Sequence, residues 1–130
     1  MDKSDLVKKY FFLLYPNADP RMPYRMFGIE CDLGWVRLLD ELFSCIDDRV
    51  QRRNLTDFKV LQVKEKFGTL RVYVSGADDE IHALISQFAE LSATVCEKCG
   101  SPARTRTVGT HGLLKTLCDR CRRRETERLG

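Results

Sequence analysis

Two Cys-x-x-Cys pairs, Cys96-Glu97-Lys98-Cys99 and Cys118-Asp119-Arg120-Cys121, close the chain with residues 100 to 117 between them. Two residues between cysteines let a tight turn aim both sulfurs at one ion, at a Zn–S distance near 2.3 Å. An intervening segment of about 15 to 20 residues is the spacing of a zinc ribbon. Gly100 frees the backbone just after the first pair, and Thr105, Thr107, Val108, Gly109, Gly112, Leu113, Leu114 and Leu117 suit a hairpin between the pairs. Cys96, Cys99, Cys118 and Cys121 are therefore expected to hold one structural Zn2+. Two disulfides or buried free thiols are the competing assignment. The opening Met1-Asp2-Lys3-Ser4-Asp5 is mixed in charge and has no small-residue cleavage site, which reads against secretion and toward a reducing, cytoplasmic setting where metal is favoured. A closed Cys₄ shell keeps no open position, so the metal is expected to staple the chain and not to catalyse.

The staple matters because of size. Residues 96–130 alone fall below the roughly 40 at which a core holds itself without help. Zinc binding, at about 10–16 kcal/mol, exceeds the stability of a typical domain, about 5–15 kcal/mol. Chelation is expected to unfold this third while the rest survives. The whole chain of 130 residues, 43% hydrophobic, is long enough for one cored domain with an appendage. No apolar run approaches the roughly 18 residues of a membrane span.

The net charge of +3 is unevenly spread. Residues 96–130 carry nine Lys/Arg against four Asp/Glu (9 − 4 = +5), and residues 1–95 carry thirteen against fifteen (13 − 15 = −2). Four thiolates and one dication would bring the C-terminal figure to about +3.

In the body, Leu6, Val7, Tyr10, Phe11 and Leu14 follow helical spacing, with Ser4 as the expected N-cap of a helix over 4–15. Pro16, Pro20 and Pro23 make 16–24 a loop. Met26 to Cys31 suits an edge strand. Asp32 is placed to cap a second helix whose stripe is Trp35, Leu38, Leu39, Leu42, Phe43, Ile46 and Val50. Residues 58–64 and 69–75 read as two strands turning at Glu65-Lys66-Phe67-Gly68, with Gly68 suited to a positive φ. A third helix is expected from Asp78 to Ala93, with acids in its first turn and a core stripe of Ile81, Leu84, Ile85, Phe88 and Leu91. The fold class is thus α+β. Helices pack on a small antiparallel hairpin in a body over 1–95, followed by a zinc-ribbon-like module with a basic tail over 96–130.

Catalytic motifs are missing from the sequence. A zinc deaminase needs H-x-E and a proline before its C-x-x-C; here Ala83 and Leu84 follow His82, and Val95 precedes Cys96. There is no Walker loop, G-x-S-x-G or dinucleotide fingerprint. His82 lies off its helix's stripe, and His111 sits in the glycine-flanked Gly109-Thr110-His111-Gly112 turn. Asp47/Asp48 and Asp78/Asp79 read as solvated helix faces. Cys45 shares a face with Leu38 and Leu42, so an inert buried thiol is expected. Cys31, between Glu30 and Asp32, is disfavoured as a thiolate. The chain is expected to be no enzyme.

Two surfaces can bind. Arg104, Arg106, Lys115, Arg120, Arg122, Arg123 and Arg124 are candidates for phosphate contacts; the bland alternative is a frayed charged helix interleaved with Glu125 and Glu127. Lys64, Lys66, Phe67 and Arg71 form a second surface on the hairpin, with Phe67 expected to fold back into the core.

The string Val63-Lys64-Glu65-Lys66-Phe67-Gly68-Thr69-Leu70-Arg71-Val72-Tyr73, preceded by Phe27 to Cys31 and Gly34-Trp35 and followed by C-x-x-C-G…L-C-x-x-C, resembles a group of small bacterial and phage-encoded proteins. These share a K-E-K-F-G-x-L-R core and a C-terminal pair of zinc knuckles. The match spans residues 26 to 121. The resemblance implies an accessory, mobile-element setting in a bacterial or phage-infected cell and carries no activity with it. The expected function is a non-enzymatic, zinc-stabilised protein that docks onto another protein and inhibits or neutralises it. The alternative is a nucleic-acid-binding zinc-ribbon regulator using the basic module. No membrane partner is expected, and the sequence leaves the oligomeric state open.

Overall fold

The computed structural model describes residues 1–16 and 28–129. The chain runs α1 (Lys3–Lys9), α2 (Phe11–Leu14), β1 (Ile29–Glu30), a 3₁₀ turn (Leu33–Trp35), α3 (Val36–Arg53), β2 (Lys59–Lys66), β3 (Thr69–Ser75), α4 (Asp79–Ser92), β4 (Arg104–Val108), β5 (Leu113–Leu117) and α5 (Asp119–Leu129). This is the expected α+β architecture. Most of the proline-rich loop, with Pro20 and Pro23, lies outside the described residues, as do Met26 and Phe27. No helix among the described residues is long and apolar enough to cross a membrane.

The N-terminal helix differs from expectation at both its start and its middle. Asp2, not Ser4, caps it: the Asp2 carboxylate accepts from the Asp5 amide at 2.8 Å, and the Asp5 carboxylate accepts from the Asp2 amide at 2.9 Å. This reciprocal pairing satisfies two orphan amides and starts the helix earlier than a serine cap would. The helix then breaks at Tyr10, whose backbone leaves helical dihedrals. The break turns the Tyr10 ring edge-on to Phe43, centroids 5.5 Å apart, and its hydroxyl donates to the Asp40 carboxylate at 2.7 Å.

Strands β2 and β3 form an antiparallel hairpin, and β1 joins β2 in parallel along the edge, with Ile29 opposite Val63. A register shift between Val60 and Gln62 leaves Leu61 without a partner on β3 and keeps Val63 facing inward like Val60, while Leu61 is exposed. The inward residues Val60, Val63, Leu70 and Val72 meet Trp35 of the 3₁₀ turn, Leu39, Leu42, Phe43 and Ile46 of α3, and Ile81 and Phe88 of α4. Asp32 precedes a 3₁₀ turn and caps it without a side-chain hydrogen bond. In α4 the stripe ends one residue off: Leu91 is 46% exposed, while Ser92 is fully buried. The Ser92 hydroxyl accepts from the Leu70 amide at 2.8 Å and donates to the Ala89 carbonyl at 2.6 Å, so the last turn is tied to β3 by a polar pin. Cys45 is exposed, contrary to expectation, because the wide face of α3 rotates it past the stripe of Leu39, Leu42 and Ile46.

Candidate metal centre

The four cysteines of the two pairs converge. Their sulfurs all lie within 4.8 Å of one another, and Cys99 Sγ is 3.7 Å from Cys118 Sγ. A tetrahedral site with metal–sulfur bonds near 2.3 Å has sulfur–sulfur edges of about 3.8 Å. The donor set and its spacing therefore fit one tetrahedral thiolate-bound metal ion.

Local geometry explains how the chain gets there. The first pair sits in a knuckle where the Gly100 amide donates to the Cys96 carbonyl at 2.9 Å and the Cys96 amide to the Ser101 carbonyl at 2.7 Å. Between the pairs, β4 and β5 form the expected hairpin, Arg104 opposite Leu117 through Val108 opposite Leu113. The second pair is carried by a helix start and not by a second turn. Cys118 precedes α5, Cys121 lies in its first turn, and the Arg122 amide donates to the Cys118 carbonyl at 2.8 Å. A helix N-terminus favours the negative charge that thiolates bring. Around the sulfurs, the hydroxyl and amide of Ser101 hold the Cys99 thiol down at about 6, whereas burial pushes the Cys121 thiol up to about 12. A bound cation removes that opposition by stabilising all four thiolates together.

The metal module has its own small core of Cys96, Val108, Leu117 and Cys121. A hydrogen-bonded seam joins it to the body. The Gly34 amide donates to the Glu97 carbonyl at 2.7 Å, the Trp35 indole to the Val95 carbonyl at 2.8 Å, and the Asp32 amide to the Glu97 carboxylate at 3.0 Å. A β-carbon at Gly34 would overlap the carbonyl groups of Cys96 and Glu97, so only glycine allows this approach. Glu97 is 3% exposed, and burial raises its carboxyl above the usual range, opposed by the Asp32 amide and Lys115. Lys115 stands between Glu65, at 3.1 Å, and Glu97, at 3.8 Å.

The candidate binding residues fall in three settings. Lys64, Lys66 and Arg71 lie along β2 and β3, where Lys64 sits over the Tyr73 ring at 5.8 Å and Lys66 over the Phe67 ring at 5.5 Å. Phe67 is 65% exposed and does not return to the core. It occupies the turn with a φ of 54°, followed by Gly68 at 81°, and this left-handed pair points its ring away from the sheet interior. Lys115 and Arg106 are held within the fold, the first by Glu65 and Glu97 and the second by Asp119 at 2.6 Å. Arg104, Arg120, Arg123 and Arg124 are exposed, and Arg122 is half-buried. His111 and His82 are exposed and apart from the cluster.

Sequence reasoning missed the seam. Neither Glu97, a spacer of the first Cys-x-x-Cys pair, nor Thr116 carries a sequence signal for such a contact.

The fold and the cluster together define a small α+β protein with a four-cysteine metal-binding module docked on a helix-and-hairpin body. No protein-family profile, curated protein or solved structure matches the chain.

Proposed function

We propose that this chain is a non-enzymatic binding protein, stapled by one structural Zn2+, that docks onto another protein through the β2–β3 turn and thereby inhibits or neutralises it. The single observation that carries the reading is Phe67: a large aromatic presented to solvent at a backbone conformation that aromatic residues seldom adopt. Its mount is rigid. The Gly68 amide donates to the Glu65 carboxylate at 2.8 Å, Lys115 grips the same carboxylate, and the Thr116 hydroxyl donates to the Gly68 carbonyl at 2.6 Å. An anchor ordered before binding loses little entropy on association, and aromatic residues are enriched in the buried cores of interfaces. Lys64, Lys66 and Arg71 around it select an acidic rim on the partner. Zinc is the metal that suits four thiolates in a closed tetrahedral shell with no redox change. The resemblance to phage-encoded and bacterial proteins supports an accessory role in an infected or host cell.

The test is affinity capture from a bacterial host, followed by competition with variants. Phe67→Ser should lose the protein captured by the wild type, and the Arg122→Ser, Arg123→Ser, Arg124→Ser triple variant should keep it. Capture that is unchanged by Phe67→Ser contradicts the reading.

A further inference from the structure

We infer that the metal module carries a second, separate binding site: an arginine face along α5 and the start of β4 that takes the phosphodiester backbone of a nucleic acid. The inference does not rest on the hairpin reading.

The argument is a sorting of charges. Of nine cations in residues 96–130, four are ion-paired: Lys98 with Asp32, Arg106 with Asp119, Lys115 with Glu65 and Glu97, and Arg128 with Glu125. Those pairs consume Glu97, Asp119 and Glu125, three of the module's four acids. Left over are Arg104, Arg120, Arg122, Arg123 and Arg124, none with an ion pair among the described residues, against Glu127 and the net −2 of four thiolates around a dication (5 − 1 − 2 = +2). The fold thus pairs both lysines and three of the four acids of this segment, and leaves five of its seven arginines without an ion pair. Arg120, Arg123 and Arg124 stand at i, i+3 and i+4 of one helix, which places them on one face. Arg122 keeps its Nε buried with no hydrogen-bond partner, as does Arg106. An open cavity of about 370 Å³ lies beside the start of α5, bordered by Arg104, Arg106, Cys118 and Asp119, and is roomy enough for a phosphate group.

Guanidinium forks match phosphate oxygens two at a time, which ammonium groups do not. A membrane surface fits less well. An interfacial helix needs large apolar side chains beside its cations, and the exposed described residues of α5 are arginines, Asp119, Thr126 and Glu127.

The experiment is fluorescence anisotropy of the zinc-loaded full chain with labelled 20-nucleotide probes of mixed sequence, duplex and single-stranded, across a salt series. Binding is expected at low salt. On duplex, the log–log salt slope should be about −0.9 for each phosphate neutralised, hence roughly −4 for the wild type. Changing Arg120, Arg123 and Arg124 together to Ser should flatten it by about 2.7 and weaken low-salt binding at least tenfold; the same three changed to Lys should keep most of the slope. Metal content and far-UV circular dichroism establish that the variants are folded, and Phe67→Ser should bind like the wild type. No affinity for either probe at low salt overturns the inference, as does a serine variant with the wild-type slope. Binding to vesicles of anionic lipid in place of nucleic acid overturns it equally.

Discussion

The hydroxyl of Thr116, fully buried in β5, donates to the carbonyl oxygen of Gly68 at 2.6 Å and lies 2.6 Å from the Thr105 hydroxyl. One side chain of the metal module thereby holds the tip of the body's hairpin. Thr116→Val keeps the shape and removes the hydroxyl, leaving a buried carbonyl unpaired. The expected loss is about 1–3 kcal/mol, read as a lower urea midpoint with an unchanged m-value. An unchanged midpoint would show that the contact does not couple the two parts.

Gly34→Ala should be far more damaging than a surface glycine-to-alanine change. The new methyl would overlap the Cys96 and Glu97 carbonyls, and backbone must move because no side-chain end can yield. The knuckle lifts from the 3₁₀ turn, and the Gly34, Trp35 and Asp32 hydrogen bonds go together. A loss of about 3 kcal/mol or more is expected, seen by thermal unfolding and as faster metal loss to a competing chelator. Wild-type behaviour in both would contradict the seam.

Phe67→Asn should separate stability from binding. An L-residue in the left-handed region bears a strain of roughly 1–2 kcal/mol, which asparagine tolerates better. The variant is expected to gain about 1 kcal/mol in denaturant unfolding while losing capture of the partner. If it unfolds more easily than the wild type, the ring is packing and not presented.

Much of this was legible in advance, and the pattern of successes is physical. The α3 stripe follows from a 3.6-residue period of large apolar side chains, and the strands from their branched composition. The convergence of the four cysteines of the two pairs follows from spacing alone. The errors share a different origin. Leu91 and Ser92, or Cys45 beside Leu42, differ by small rotations that periodicity does not fix. Phe67 is expected to fold back into the core, but the tight turn that gives it a φ of 54° sends it outward. The seam between Gly34 and Glu97, or Thr116 and Gly68, joins segments far apart in the chain, and no local pattern encodes such pairs.

The two cysteines outside the cluster should behave oppositely toward alkylation. Cys45 is exposed on α3, and Cys31 is buried, its thiol pushed up to about 12 by burial and then by the Glu97 charge. In the native, metal-loaded protein, iodoacetamide should label Cys45 and spare Cys31, as mapped by peptide mass spectrometry. The same shift has a pH consequence. An unfolded cysteine ionises near 8.5, so Cys31 contributes stability that is fully present below that pH and is lost as pH rises toward 12. Cys31→Val should flatten the alkaline decline relative to the wild type; an identical decline in both would contradict the assignment.

The central claim is that one zinc ion at Cys96, Cys99, Cys118 and Cys121 holds the C-terminal third together. Metal analysis by mass spectrometry, coupled to hydrogen exchange before and after chelation, tests it most directly. The account predicts one zinc per chain, and on its removal the loss of amide protection across β4, β5 and α5 while Val60, Val63, Leu70 and Val72 in the body stay protected. Protein purified without chelator that contains no zinc, or protection of β4 and β5 that survives the metal's removal, would contradict it.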